Sequence, residues 1–333
     1  MRNFIALVFI CVASLAWAQE WEDRRIFNDG ADGAQLRVLS STDTNLFAPL
    51  IEAYVLANPD VSIEYLVTGT ADIDQLFRQA PDDFDVVISS AMDLQLKLVN
   101  DGYGNALEDV VHPDWAQWRQ SLFAFTTEPA AIVINTDAFD GLTVPNSRQE
   151  LIGLLRARPD VFAGKVGTYD IRRSGLGYLF ATQDSRASET YWRLMEVMGG
   201  LDVKLYCCSG DMIDDLTDGT IAVAYNVLGS YAEARVEAGD RFMILDLSDF
   251  ETTMMRTAFV ARQSRQPTEA AEFLKAIVAD QTDVSSEKDT PLPRLAQAGE
   301  RGAIPLDPAT MTFLDSLKRK KFLEEWQDAL IQE

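Results

Sequence analysis

The sequence predicts an α/β protein made of two successive series of strand–helix units. Short β-prone runs alternate with helical periodicity along the 333 residues, the pattern of parallel βαβ units. Four of the strands end in small polar or charged residues that hand over to a helix, at Ser40–Asp43, Ser89–Ala91, Asp170–Gly175 and Tyr225–Ser230. In open α/β sheets ligands bind beyond the carboxyl ends of the strands. Four such loops, spread over two series, predict one cleft lined from both sides.

The elements follow in order. The N-terminus, MRNFIALVFICVASLAWAQE, has one positive residue, an apolar core from Phe4 to Val12 and the small-residue site Ala16-Trp17-Ala18. It reads as a signal peptide cleaved after Ala18, because the apolar run is shorter than the about 20 residues of a membrane span. Residues 19–35 are polar and Gly/Asp-rich and read as a flexible arm. Leu36–Leu39 is the first strand, and Leu46, Leu50, Ala53, Tyr54 and Ala57 keep helical spacing up to the Asn58-Pro59 stop. Val61–Val67, Asp72–Gln79, Asp85–Ile88 and Met92–Val99 continue as strand, helix, strand and helix.

Ala130–Ile134 is a strand that opens the second series. Helix Arg148–Arg156, strand Gly164–Tyr169, helices Leu176–Ala181 and Glu189–Met198, strand Val203–Tyr206 and helix Met212–Asp218 follow. Strand Ile221–Tyr225, helix Tyr231–Ala238, strands Phe242–Leu245 and Met254–Ala261 and helix Thr268–Val278 come next. Thr282–Leu295 reads as a surface loop. The last helices, Pro308–Leu317 and Phe322–Ile331, flank the basic run Lys318–Lys321, a solvated helix face or turn.

Val166–Gly177, VGTYDIRRSGLG, is the most informative stretch. A strand ends in an Asp and two arginines, and Ser174-Gly175 then starts a helix. Ser174 is a good N-cap, and the first helical N–H groups lack internal partners. With Arg173 beside the cap, the turn is a candidate anion seat. The other reading is an ordinary loop with surface arginines.

With 52 acidic and 29 basic residues the net charge is −23, which argues against nucleic acid and anionic membranes as partners. Beyond the leader only Cys207 and Cys208 remain, so no disulfide framework holds the fold. Adjacent Cα atoms lie about 3.8 Å apart, below the usual disulfide span, so a vicinal bond would be a strained turn. Two buried thiols are the alternative. If the turn faces the cleft, Ser209 and the following helix start add donors. The single His112, before Pro113, reads as structural or surface. One histidine, no G-x-S-x-G elbow, no H-E-x-x-H and no P-loop leave little for an enzyme.

The order of segments resembles the type II periplasmic solute-binding proteins of ABC transporters, near their ferric-iron and organophosphate branch. The resemblance is carried by Leu36–Leu66, Phe84–Tyr103, Ala130–Phe139, Phe162–Ala181 and Gly219–Arg235. It implies two α/β lobes, each a mixed sheet flanked by helices, joined by two crossover strands and closing on a ligand by hinge motion. Lobe one would hold residues 36–130 and 252–333, lobe two 137–249, with crossovers near 130–136 and 245–257. The ligand-binding residues carried over are Ser41, Thr42, Ser89, Ser90, Arg173, Ser174, Gly175, Tyr225 and Asn226. Ferric-binding relatives have a tyrosine pair where this chain has Tyr225-Asn226. Hydroxyls, an amide and an arginine therefore suit a small organic anion, phosphorylated or carboxylated, better than iron. The resemblance implies a periplasmic monomer with no metal or cofactor. Its partner would be an inner-membrane ABC permease or, alternatively, a sensor kinase.

Overall fold

Runs of Val, Ile and Leu at the strand positions bury both faces of their sheets, as parallel strands covered by helices must. The computed structural model describes residues 21–237, 241–283, 291–295 and 302–331. The expected signal peptide and half of the Thr282–Leu295 loop lie outside these residues. The chain begins with β1 (Asp23–Phe27), β2 (Gln35–Ser40), α1 (Thr44–Ala57), β3 (Ser62–Val67), α2 (Asp72–Gln79), β4 (Val86–Ser89) and α3 (Met92–Asn100). It continues with β5 (Gln117–Trp118), the long β6 (Leu122–Asn135), α4 (Arg148–Ala157), α5 (Pro159–Phe162), β7 (Val166–Tyr169), α6 (Gly175–Ala187) and α7 (Thr190–Gly199). Then come β8 (Lys204–Tyr206), α8 (Ser209–Thr217), β9 (Val223–Leu228), α9 (Gly229–Glu237), β10 (Phe242–Ile244), β11 (Thr253–Val260), α10 (Pro267–Thr282), a 3-10 segment (Pro308–Leu314) and α11 (Ser316–Leu330).

The strands run in the order β1-β3-β2-β4-β11-β6-β9-β7-β8. β2 is parallel to β3 and β4, and β7 is parallel to β8 and β9. β6 belongs to both halves. Its residues up to Pro129 pair antiparallel with β11, and those from Ala130 onward pair antiparallel with β9. Pro129 has no N–H to donate, so the proline stands where the strand changes partners.

One apolar cluster fills the outer side of the first half, where Phe47 stacks on Tyr65 at 5.3 Å. A second fills the outer side of the second half around Leu151, Phe162 and Tyr191. The third is continuous between them, running from Leu39 and Phe77 through Leu122 and Val133 to Leu179 and Met212.

Three expectations are corrected. Residues 19–35 are not wholly a flexible arm: β1 adds an antiparallel edge strand to β3, with Asp23 opposite Val67 and Phe27 opposite Ile63. The C-terminal residues do not all belong with lobe one. The 3-10 segment packs on α3, but α11 packs on α7, and Phe322, Trp326 and Leu330 join the second half's core. Their i, i+4, i+8 spacing puts all three on one helix face. Finally, Lys318–Lys321 does not separate two α-helices but lies within α11, where Arg319 packs over the Tyr178 ring and the exposed Lys320 and Lys321 face Glu324 and Glu325 one turn on.

Candidate functional site

Where the two halves meet, the strand ends enclose a cavity of about 40 Å³, room for a few water molecules. The first half contributes Glu22, Ser41, Asp43, Thr68–Thr70 and Ser90; the second contributes Tyr169, Ser174, Leu176, Cys207–Ser209, Leu228 and Tyr231. The halves touch directly. The Leu176 N–H donates to Thr70 Oγ1 at 3.1 Å, and a Cβ at Gly175 would stand 2.9 Å from the Thr70 carbonyl oxygen. Only glycine permits that approach.

The first wall is held from behind. The Tyr65 hydroxyl, at the strand next to β2, reaches Ser40 Oγ at 2.7 Å and the Thr42 carbonyl at 2.8 Å. The Ser40 hydroxyl accepts from the Thr42 N–H at 3.0 Å, and Arg256 donates to Thr42 Oγ1. Ser41 Oγ lies 3.3 Å from Ser89 Oγ and accepts from the Ser90 N–H. Asp43 occupies the N-cap position of α1, yet its carboxylate caps no backbone N–H. It turns into the cavity toward the hydroxyl of Tyr231 on the opposite wall. Glu22 stands at the rim because its N–H pairs with the Val67 carbonyl at the end of β3.

On the second wall Ser174 Oγ accepts from the Gly177 N–H at 3.1 Å and so caps α6. Tyr169 and Ser209 share a hydrogen bond of 2.5 Å, and Ser209 Oγ also accepts from the Leu228 N–H. Cys207 and Cys208 are joined as a vicinal disulfide whose residues line the cavity.

Among the described residues, no arginine or lysine lines this cavity. Burial pushes the Asp43 carboxyl above its ordinary range; Tyr231 and Arg256 pull it back, and Asp211 and Asp214 add to the rise. Burial also raises Glu22, helped by repulsion from Asp43, Asp72 and Asp211. Burial lifts the Tyr231 hydroxyl well above its usual value, with Asp43 adding to the shift. Arg256, the cation behind the wall, is wholly buried against Glu128 at 2.7 Å.

Of the residues singled out from the sequence, Ser41, Ser90, Ser174, Cys207, Cys208 and Ser209 line the cavity. Gly175 lies in its wall through its contact with Thr70. Thr42 and Ser89 are buried one layer behind and shape the loops. Arg173 is exposed and does not line the cavity; its N–H instead closes the turn on the Asp170 carbonyl at 2.9 Å. Arg172 pairs with Asp170 and lies over the Trp326 ring.

Tyr225 and Asn226 are also absent from the cavity. β9 runs three residues beyond Tyr225, so the strand end that reaches the cleft is Leu228. Tyr225 and Asn226 donate instead to the buried Asp184 at 2.7 and 2.8 Å, and the Tyr225 hydroxyl accepts from Arg148. His112 packs edge-on against Phe123, away from the cleft.

Sequence reasoning missed Asp43, Tyr231 and Glu22. The first lay within a loop already marked as facing the cleft, and the second was visible as the next tyrosine after Tyr225. Nothing in the reading of residues 19–35 as an arm pointed to Glu22. Among the described residues, one group of three has the donors and spacing of a metal site: Cys207, Cys208 and Asp211, with ligand atoms all within 4.8 Å of one another.

No protein-family model matches the chain, and no curated protein matches it in sequence. Solved structures do. The substrate-binding protein of an ABC transporter from Agrobacterium tumefaciens is 30% identical, over 92% of this chain and 98% of that one, with a TM-score of 0.85. The periplasmic binding protein AfuA from Actinobacillus pleuropneumoniae, with exogenous fructose-6-phosphate bound, is 13% identical over 90% and 99%, with a TM-score of 0.72. Iron-bound HitA from Pseudomonas aeruginosa is 14% identical over 89% and 99%, with a TM-score of 0.63. The last two are likenesses of fold. With its two-lobed α/β architecture and a cavity between the lobes, the chain belongs to the substrate-binding proteins of ABC transporters, of the type II periplasmic binding fold.

Proposed function

We propose that this binding protein works in the periplasm and captures a small cation for delivery to an inner-membrane permease. The observation that carries the reading is charge: the cavity presents the Asp43 and Glu22 carboxylates and hydroxyl oxygens, with no basic side chain among its described lining residues. The family supports the periplasm and the permease. An anion in this cavity would meet two like charges, and the Leu176 and Gly177 amides of the expected anion seat are already used by Thr70 and Ser174. A cation relieves the repulsion between Asp43 and Glu22 that helps raise the Glu22 pKa.

Closure then provides the affinity. In the open state the ligand meets Asp43 on the first lobe. Rotation of the second lobe brings Tyr231, Ser174 and Ser209 to its other side and excludes water, which strengthens each charge-assisted contact. The closed cavity is small, which favours a compact ligand.

A thermal-shift panel tests this reading with alkylammonium ions, divalent and ferric cations, sugar phosphates and dicarboxylates. A bound ligand raises Tm as RT ln(1 + [L]/Kd). A rise confined to the cationic compounds is expected. A rise with sugar phosphates or dicarboxylates instead would overturn the cation reading.

A further inference from the structure

The vicinal cysteines form part of the wall of the ligand cavity rather than of a structural core, and the cation reading does not use them. We infer that the pair is a redox-dependent metal site: reduced, Cys207 and Cys208 together with Asp211 hold one thiophilic divalent cation at the cavity rim, and oxidised they do not. Three observations place it. The two sulfurs and the Asp211 carboxylate lie within 4.8 Å of one another, with Asp211 Oδ2 3.4 Å from Cys207 Sγ. Cys208 occupies the N-cap position of α8, a nine-residue helix, and a helix N-terminus favours the thiolate, the form that binds metal. Asp211 is exposed, so the third ligand is open to solvent.

The chemistry balances. A dithiol reductant gives two electrons and two protons to the S–S bond and leaves as its own disulfide, and the chain gains two thiols. A divalent cation then displaces the two thiol protons. Two thiolates and one carboxylate are a soft donor set that suits zinc- or cadmium-like ions, unlike the hard oxygens of Asp43 and Glu22. This site rests on the same cavity as the cation reading but on different ligating atoms, so either can fail alone.

The test uses the whole chain carrying Cys11→Ser, reduced with dithiothreitol, freed of reductant without air and titrated with Cd²⁺. The thiolate-to-cadmium absorbance in the near ultraviolet should saturate at one equivalent per chain. It should be absent from the oxidised chain and from the C207S/C208S variant. Asp211→Asn should keep the band and weaken binding at least about tenfold. A reduced chain that titrates two thiols yet shows no band would overturn the site. So would a band of equal strength in the oxidised chain or in C207S/C208S.

Discussion

Arg256 and Glu128 form an ion pair of 2.7 Å, both side chains wholly buried, that ties β6, the strand both halves share, to its neighbour β11. Glu128 also accepts from Thr126 at 3.0 Å and from Ser230 at 2.5 Å, and Arg256 reaches Thr42 in the loop beside Asp43. The pair thus links β6 and β11 to both walls of the cavity. Removing one partner strands a buried charge. Glu128→Gln or Arg256→Met is expected to cost about 3–5 kcal/mol in urea unfolding, and replacing both by apolar residues should cost less than either alone.

Asp43 sits where a cap would be but donates its carboxylate to the cavity. Asp43→Asn is expected to weaken binding of the cationic ligand by about 2–5 kcal/mol in calorimetric titration. The free protein should become no less stable, since the ionised carboxylate is disfavoured in the fold. Unchanged affinity would show that the charge of Asp43 does not recognise the ligand.

The pH dependence follows from the same groups. Glu22 and Asp43 have folded pKa values above their unfolded ones. Protonation therefore favours the free protein, and cation affinity falls as pH drops through the raised values, with protons released on binding. Calorimetry in buffers of different ionisation enthalpy measures that release.

Asp93 on α3 extends the argument to stability. Burial pushes its carboxyl up to about 7, only partly offset by the Leu94 N–H, its own N–H and Arg319, with Asp74 adding to the rise. Its ionised form is disfavoured in the fold, so the stability it withholds above that pKa is regained as pH falls through about 7 toward the unfolded value of 3.8. Asp93→Asn should raise Tm at pH 8 and change it little at pH 5.

Gly175 lies where α6 meets the Thr70 carbonyl. Gly175→Ala places a Cβ 2.9 Å from that oxygen, a clash that parting of the two halves would relieve. The variant is expected to keep its fold and lose about 1–3 kcal/mol of ligand affinity, read by titration. Small-angle scattering should show it more open.

The strand–helix alternation and the loops at Ser41, Ser90, Ser174 and Cys207–Ser209 were legible because N-caps, periodicity and turn residues act locally. What escaped depended on distant partners. Arg173 beside a cap looked like an anion seat, but only the fold shows that Thr70 takes up an amide of that helix start. Tyr225 looked like the end of a strand, yet pairing with β6 carries β9 on to Leu228. The last helix carried its apolar spacing openly, but not which lobe would cover it.

The proline at which β6 changes partners has a mechanical meaning. A single strand shared by two sheets is a spine, and it lacks an N–H rung at Pro129, where its partner changes. Opening would then turn the lobes like the covers of a book around that point. Their outer faces would swing furthest, so a transporter touching only those faces could sense whether the pages between them hold cargo.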